Sequence, residues 1–159
     1  MGSEAKPRRG YCSVMSTRQV SASTIVAAPA EEIFALLADP AKHPELDGSG
    51  TVRASRGTGP RRLELGSRFG MDMRIGLPYR ILNTVVEFEE SRLIAWRHFN
   101  GHRWRWELRD LGDGRTEVTE TFDYSTVRFP FVLRLLGFPT RNRAGIDATL
   151  RRLVTRFGG

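Results

Sequence analysis

Between Ser67 and Tyr124 the chain is a series of alternating segments separated only by short turns, with no helical period among them, and nothing else in the sequence constrains the fold as much. SRFGMDMRI sets Phe69, Met71, Met73 and Ile75 on one parity and Arg68, Asp72 and Arg74 on the other, the pattern of a strand with one apolar face. Gly76 and Pro78 turn the chain into YRILNTVVEFEE, a long strand whose two parities both carry apolar residues, and Glu89, Glu90 and Ser91 form the next turn. RLIAWRHF then leads through Asn100-Gly101, a strong two-residue hairpin signal, into HRWRWELRDL. LGDGR turns that strand into TEVTETFDY; Gly112 and Gly114 join two strands and open no helix, so they read as hairpin residues and not as a phosphate loop. Strands joined this tightly pair antiparallel, because a parallel pair needs a long crossover.

Helical patterns flank this meander. Residues 1–18 show no hydrophobic period and read as a flexible leader, within which Met15 is an alternative start; residues 19–159 read as a single domain. QVSASTIVAA is a strand with Val20, Ala22, Thr24 and Val26 on one parity. Pro29 suits a first helical turn, Glu31 and Glu32 suit the positive end of the helix dipole, and IFALLA supplies a buried stripe. Asp39-Pro40 ends that helix, AKHPEL is a short second one with His43 read as a surface loop residue, and DGSG is a turn. After Tyr124, FVLRLLGF is a short apolar segment stopped by Gly137 and Pro139. RNRAGIDATLRRLVTRF follows as an amphipathic helix, with Ile146, Leu150, Leu153, Val154 and Phe157 at helical spacing and an expected Asp147–Arg151 pair.

Charge narrows the function. The net charge of +7 resides at the two ends. Lys6, Arg8, Arg9 and Arg18 face only Glu4 near the start, seven arginines face only Asp147 after residue 127, and the body between is slightly acidic. A basic groove for nucleic acid is therefore not expected. The abundance of arginine over lysine reads as genome bias. Apolar runs are too short to span a bilayer, and no apolar stretch follows Arg8-Arg9 as a secretion signal would require, so the expected location is cytoplasmic. Cys12 is the one cysteine, which excludes an internal disulfide and a cysteine-based zinc site. The three histidines have no metal-ligand spacing, and no metal or cofactor is expected.

HRWRWEL sharpens the question of what the sheet faces. His102, Trp104, Trp106 and Leu108 share one parity, as do Ile94, Trp96 and His98 on the strand before and Val118, Glu120, Phe122 and Tyr124 on the strand after. With STIVAAPAEEIFALLADPAKHPELDGSG, VEFEESRLIAWRH and WELRDLGDGRTEVTETFDY occurring in that order, the chain from Gln19 to Phe157 resembles the START-like superfamily. Within it, the likeness is to the polyketide cyclase/dehydrase and lipid-transport family. The resemblance implies an α+β helix-grip fold, in which a curved antiparallel sheet wraps a long C-terminal helix and two short helices follow the first strand. It also implies a pocket between sheet and helix for a lipid, polyketide or isoprenoid-like molecule. Phe69, Met71, Met73, Trp96, His98, His102, Trp104, Trp106, Glu120, Phe122 and Tyr124 would line that pocket, unless the tryptophans simply fill a core.

Among these, Glu120, His98, His102 and Tyr124 form the set able to serve acid-base chemistry, as a cyclase or dehydratase would need. Glu120, if buried on that apolar face, is expected either to pair with His98, His102 or an arginine, or to have a raised pKa; the alternative is a glutamate at the edge of the sheet that reaches water. A carrier, an enzyme and a non-catalytic interaction module acting through the arginine-rich C-terminal helix all remain open. Arg141, Arg143, Arg151, Arg152 and Arg156 are expected on the solvent face of that helix, where they offer a transient contact with an anionic membrane surface.

Overall fold

The computed structural model describes residues 13–16, 18–55, 59–98 and 101–158, the first four through their backbone alone. Its strands are β1 (Ser13–Ser16), β2 (Gln19–Val26), β3 (Val52–Ser55), β4 (Arg68–Ile75), β5 (Leu77–Glu89), β6 (Leu93–His98), β7 (Arg103–Gly112) and β8 (Arg115–Asp123). Its helices are α1 (Ala30–Leu37), α2 (His43–Leu46), α3 (Pro130–Leu135) and α4 (Phe138–Arg156), with a 3-10 turn at Pro40–Lys42. The strands form one sheet, ordered β1-β2-β8-β7-β6-β5-β4-β3, in which every neighbouring pair is antiparallel. With α4 lying against β2 and β8, this is the α+β helix-grip arrangement that the resemblance implies.

The structure corrects the sequence reading at β1 and α4 and explains it at β5. The segment read as leader contributes β1, with Met15 opposite Val20; an edge strand pairs through its backbone and needs no hydrophobic period to do so. Cys12 and the residues before it lie outside the described residues, as does Asn100 of the hairpin signal. On β5 the mixed parity has a cause: the pairing with β6 slips between Val85 and Glu87. This bulge turns Ile81, Asn83 and Val85 inward and then Phe88 inward on the opposite parity. On α4, Asp147 bonds Arg143, one turn before it, at 3.2 Å, while Arg151 is exposed; Pro139 opens this helix instead of stopping the one before.

The core is one cluster running from α1 to α4. Ile33, Phe34 and Leu37 of α1 are fully buried, each contributing about 1.5–3 kcal/mol relative to exposure. Phe34 meets Phe88 edge to face at 5.4 Å, so the bulged strand and the first helix close one end of the sheet together. Ile146, Leu150 and Leu153 bring α4 into the same cluster. A tight loop holds that helix in place. The Asp47 carboxylate accepts from the backbone N–H groups of Ser49, Thr51 and Val52, and the Gly48 N–H donates to Thr149 Oγ1 at 2.8 Å. A Cβ on Gly48 would stand 2.3 Å from the Thr149 nitrogen, so only glycine permits this approach of loop to helix.

Candidate functional site

Strand register sorts the inward side chains into three rows. Ala22, Glu120, Trp106, Ile94 and Phe88 make the first, and Val20, Phe122, Trp104, Trp96 and Val85 the second. Tyr124, His102, His98, Asn83 and Phe69 make the third, with the His98 N–H bonded to the His102 carbonyl at 3.1 Å. The expected wall therefore exists, and it packs ring on ring. His98 and His102 lie 4.1 Å apart, Phe122 meets His102, Trp104 and Tyr124 at 5.2, 4.9 and 5.6 Å, and Phe69 meets Trp96 edge-on at 5.7 Å. Trp106 is buried, whereas Trp96 and Trp104 are half-buried.

His43 is not a surface residue. Its position on α2 carries the ring inward, where it stacks on Trp96 at 4.9 Å and meets Phe69 at 5.5 Å, and its Nε2 lies 2.8 Å from the Leu37 carbonyl. That distance fits an Nε2–H donor, the neutral form that burial favours by lowering the pKa. Asn83 was also missed. The β5 bulge hides the alternation that would have placed it inward, between buried Ile81 and Val85.

The acid-base set divides in two. Tyr124, His102 and His98 continue the register beyond the Arg103–Asp123 pair into one row, but Glu120 lies four positions before Tyr124, about 13 Å at strand spacing, with the aromatic second row between. Burial, then the charges of Asp47 and Asp147, raise the pKa of Glu120 well above the ordinary carboxylate value. Burial and the neighbouring His102 push His98 down to about 3, and burial pushes His102 down to about 4. The three histidines of the inner face are thus uncharged at neutral pH, and burial opposes a charge on Glu120.

It is also incompletely bonded. Asn83 Oδ1, His102 Nδ1, Trp106 Nε1 and Glu120 Oε2 are buried without a hydrogen-bond partner. Trp106 and Glu120 are directly paired across β7 and β8, so an unused N–H and an unused carboxyl oxygen belong to adjoining side chains. Leaving such a group unsatisfied costs about 1–3 kcal/mol, which makes four on one face a feature that asks for a bonding partner.

Two concavities lie elsewhere. One, of about 490 Å³, sits at the β4–β5 hairpin between Met73, Pro78, Tyr79 and Asp72 and three arginines, Arg53, Arg74 and Arg80. The other, of about 480 Å³, is on the convex face and is lined by Gln19, Ser21, Thr119 and Thr121 with the charged side chains of Arg103, Arg105, Glu87, Glu107 and Asp123. Of the residues expected to line a pocket, Met73 borders the first; the three tryptophans border neither. Among the described residues there is no cluster of three or more His, Cys, Asp or Glu suited to a metal ion, and no helix long and apolar enough to cross a membrane.

Comparison with known proteins agrees with this geometry. A family model described as polyketide cyclase / dehydrase and lipid transport matches residues 17–158. Two Mycobacterium tuberculosis proteins, Rv0088 of strain H37Rv and MT0096 of strain CDC 1551, both named as uncharacterized, are 46% and 45% identical over 147 residues. The match takes in 87% of this chain but 64% of theirs, so the chain spans about two-thirds of their length. Among solved structures, a START superfamily protein from Mycobacterium smegmatis superposes with a TM-score of 0.64 at 20% identity, over 88% of this chain and 97% of that one. The Zhui aromatase/cyclase from a Streptomyces species gives a TM-score of 0.64 at 17% identity, over 87% and 94%. At these identities the likeness is one of fold.

Proposed function

Because the chain belongs to the polyketide cyclase/dehydrase and lipid transport family, we propose that it is a cytoplasmic carrier of a hydrophobic small molecule, held between the concave face of the sheet and α4. The observation that carries this reading is the set of four buried, unpartnered polar atoms on Asn83, His102, Trp106 and Glu120, spread through a wall of aromatic rings. An apolar ligand with a few uncharged oxygens would bury its surface against the rings and satisfy those groups. The inner face favours an uncharged ligand: a carboxylate or phosphate would have no counter-charge among the inward residues of the three rows. Binding requires the rings to part, since they occupy the face themselves.

Native mass spectrometry of the purified protein, followed by extraction under denaturing conditions, tests the proposal. A co-purifying apolar molecule is expected. Its affinity should fall by up to about tenfold in Trp106→Phe, which keeps the ring but removes the N–H. A bare mass, with no change in tryptophan fluorescence on titration with apolar and polyaromatic compounds, would refute a carrier. That result would favour a second reading, an interaction module whose inner face is filled by its own side chains, for which the ring-on-ring packing speaks. A cyclase or dehydratase reading loses support from the separation of Glu120 from the His98, His102 and Tyr124 row, and would have to rest on that row alone.

The arginines of α4 are not equally available for a membrane contact. Arg152 bonds the Asp47 carbonyl and Arg156 the Glu45 carboxylate at 3.1 Å, whereas Arg141 and Arg151 are exposed.

A further inference from the structure

The described surface concentrates its exposed apolar side chains on two elements. On α3 and its flanks, Phe129, Phe131, Val132, Leu135 and Leu136 are exposed, Leu135 by 85%, although this is an apolar helix within a folded domain. On the β4–β5 hairpin, Ile75, Leu77, Tyr79 and Leu82 are exposed, Leu77 by 80%. The two belong to one region: Arg141, in the first turn of α4 just beyond α3, is close enough to act electrostatically on the Tyr79 hydroxyl. Scattered apolar residues on a surface need no explanation, but large ones gathered on a projecting hairpin and an adjacent short helix do.

The charge around these side chains is one-sided. From Tyr124 to Ile146 the chain has four arginines and no acidic residue. Arg128, Arg134 and Arg141 are exposed, and Arg128 lies over the Phe129 ring at 5.8 Å. Exposed Arg74 and Arg80 of the hairpin and Arg53 of the neighbouring β3 surround the concavity of about 490 Å³, where the one carboxylate is Asp72, 3.7 Å from Arg80.

We propose that α3 and the β4–β5 hairpin form a docking surface for an anionic phospholipid bilayer, with the exposed apolar side chains entering the acyl boundary and Arg53, Arg74 and Arg80 seating headgroups in the hairpin concavity. Apolar tips rimmed by arginine match the two layers of such an interface, hydrocarbon below and phosphate above. A second copy of the chain fits less well, because a two-fold contact through this region would oppose arginine to arginine with almost no carboxylate to pair them. Met73, Ile75, Leu77 and Tyr79 continue the parity of Phe69 and Asn83 toward the hairpin tip, so the surface adjoins the rim of the inner face, and docking is measured with no added ligand.

Sedimentation of the full chain with vesicles tests it, using phosphatidylcholine alone and phosphatidylcholine with one-third phosphatidylglycerol. Association is expected only with the anionic vesicles, weakening as salt is raised. Neutralising Arg74→Gln and Arg80→Gln should lower the partition coefficient roughly fivefold for each arginine. Leu77→Ser and Leu135→Ser should lower it roughly tenfold each. Thermal unfolding should be unchanged in all four, since the side chains are exposed. Equal binding by the variants, or no binding to anionic vesicles, would overturn the proposal. So would full competition by soluble glycerol phosphate, which would mark a site for free phosphate, or a dimer in sedimentation velocity that the leucine variants dissociate, which would assign the surface to a second copy.

Discussion

The two faces of the sheet come from alternate residues of the same strands, yet they treat their polar groups in opposite ways. On the convex face Arg103 reaches Glu87 and Asp123 at 3.3 and 2.7 Å, Arg105 reaches Glu87 and Glu107, and Arg109 reaches Glu117 at 2.8 Å. Hydroxyls pair there too, Ser21 with Thr121 at 2.9 Å and Ser23 with Thr119 at 2.7 Å. Among the described residues, four buried polar atoms on the concave face have no partner; Arg103 Nε is such an atom on the convex side, and its guanidinium is held through its other nitrogens. The face that meets water pairs its charged groups with one another. The face that excludes water has kept donors and acceptors in reserve, at a cost in stability that a binding site would explain.

The concave face depends on its cover, and uncovering it gives the largest expected effect. Gly48→Ala forces a methyl into the backbone of α4, with no flexible side chain to give way, and should cost about 3 kcal/mol or more in a urea melt. A loss under 1 kcal/mol would mean that the loop and helix separate easily and that α4 is not clamped there.

Acid should come next. His98 and His102 titrate near 6.5 when unfolded but near 3 and 4 when folded, so between these values the unfolded chain binds more protons. Their contribution to stability is complete above about pH 6.5 and is lost as the pH falls toward 3. In His102→Phe the unfolding midpoint on acidification should therefore move to lower pH; an unmoved midpoint would show that the histidines are already hydrated. Glu120 acts with the opposite sign. Its folded pKa is raised, so its stabilising share is complete below about pH 4.5 and declines as the pH rises.

Glu120→Leu should for that reason stabilise the protein at neutral pH, by about 1–3 kcal/mol, while weakening any ligand that uses the carboxyl. A stability loss would show that Glu120 is bonded in solution, by water or by a ligand. The smallest effect belongs to the convex face. Arg105→Met breaks pairs that remain in reach of solvent, and thermal unfolding should register about 1 kcal/mol or less, reduced further by salt.

How much of this was legible depended on the kind of signal. The meander, the α4 stripe and the inward parity of Trp96, Trp104, Trp106 and Glu120 could be read because each follows a short period along one element. Asn83 could not, because a bulge breaks the period that would have revealed it, and His43 could not, because the direction of a four-residue helix depends on what it packs against. The division of the acid-base set was hidden for another reason. Parity gives the face but not the height along it, and the distance between Glu120 and the histidines is a matter of register between the paired strands, which the turns alone do not fix. The Asp147 pairing erred because two arginines lie one turn either side of it, and tertiary surroundings chose between them.

α3 has a consequence of its own. None of its six residues is buried; Leu133 alone leans on the core, and Gly137, in a left-handed conformation at φ 70°, joins it to α4. So short a helix cannot sustain itself by hydrogen bonds alone, and it draws almost nothing from the cooperative unit beside it. Its amide hydrogens should exchange with solvent through local opening that leaves the sheet intact, orders of magnitude sooner than those of β7 and β8. The molecule thus keeps one segment that can change shape at a surface without any part of the domain unfolding.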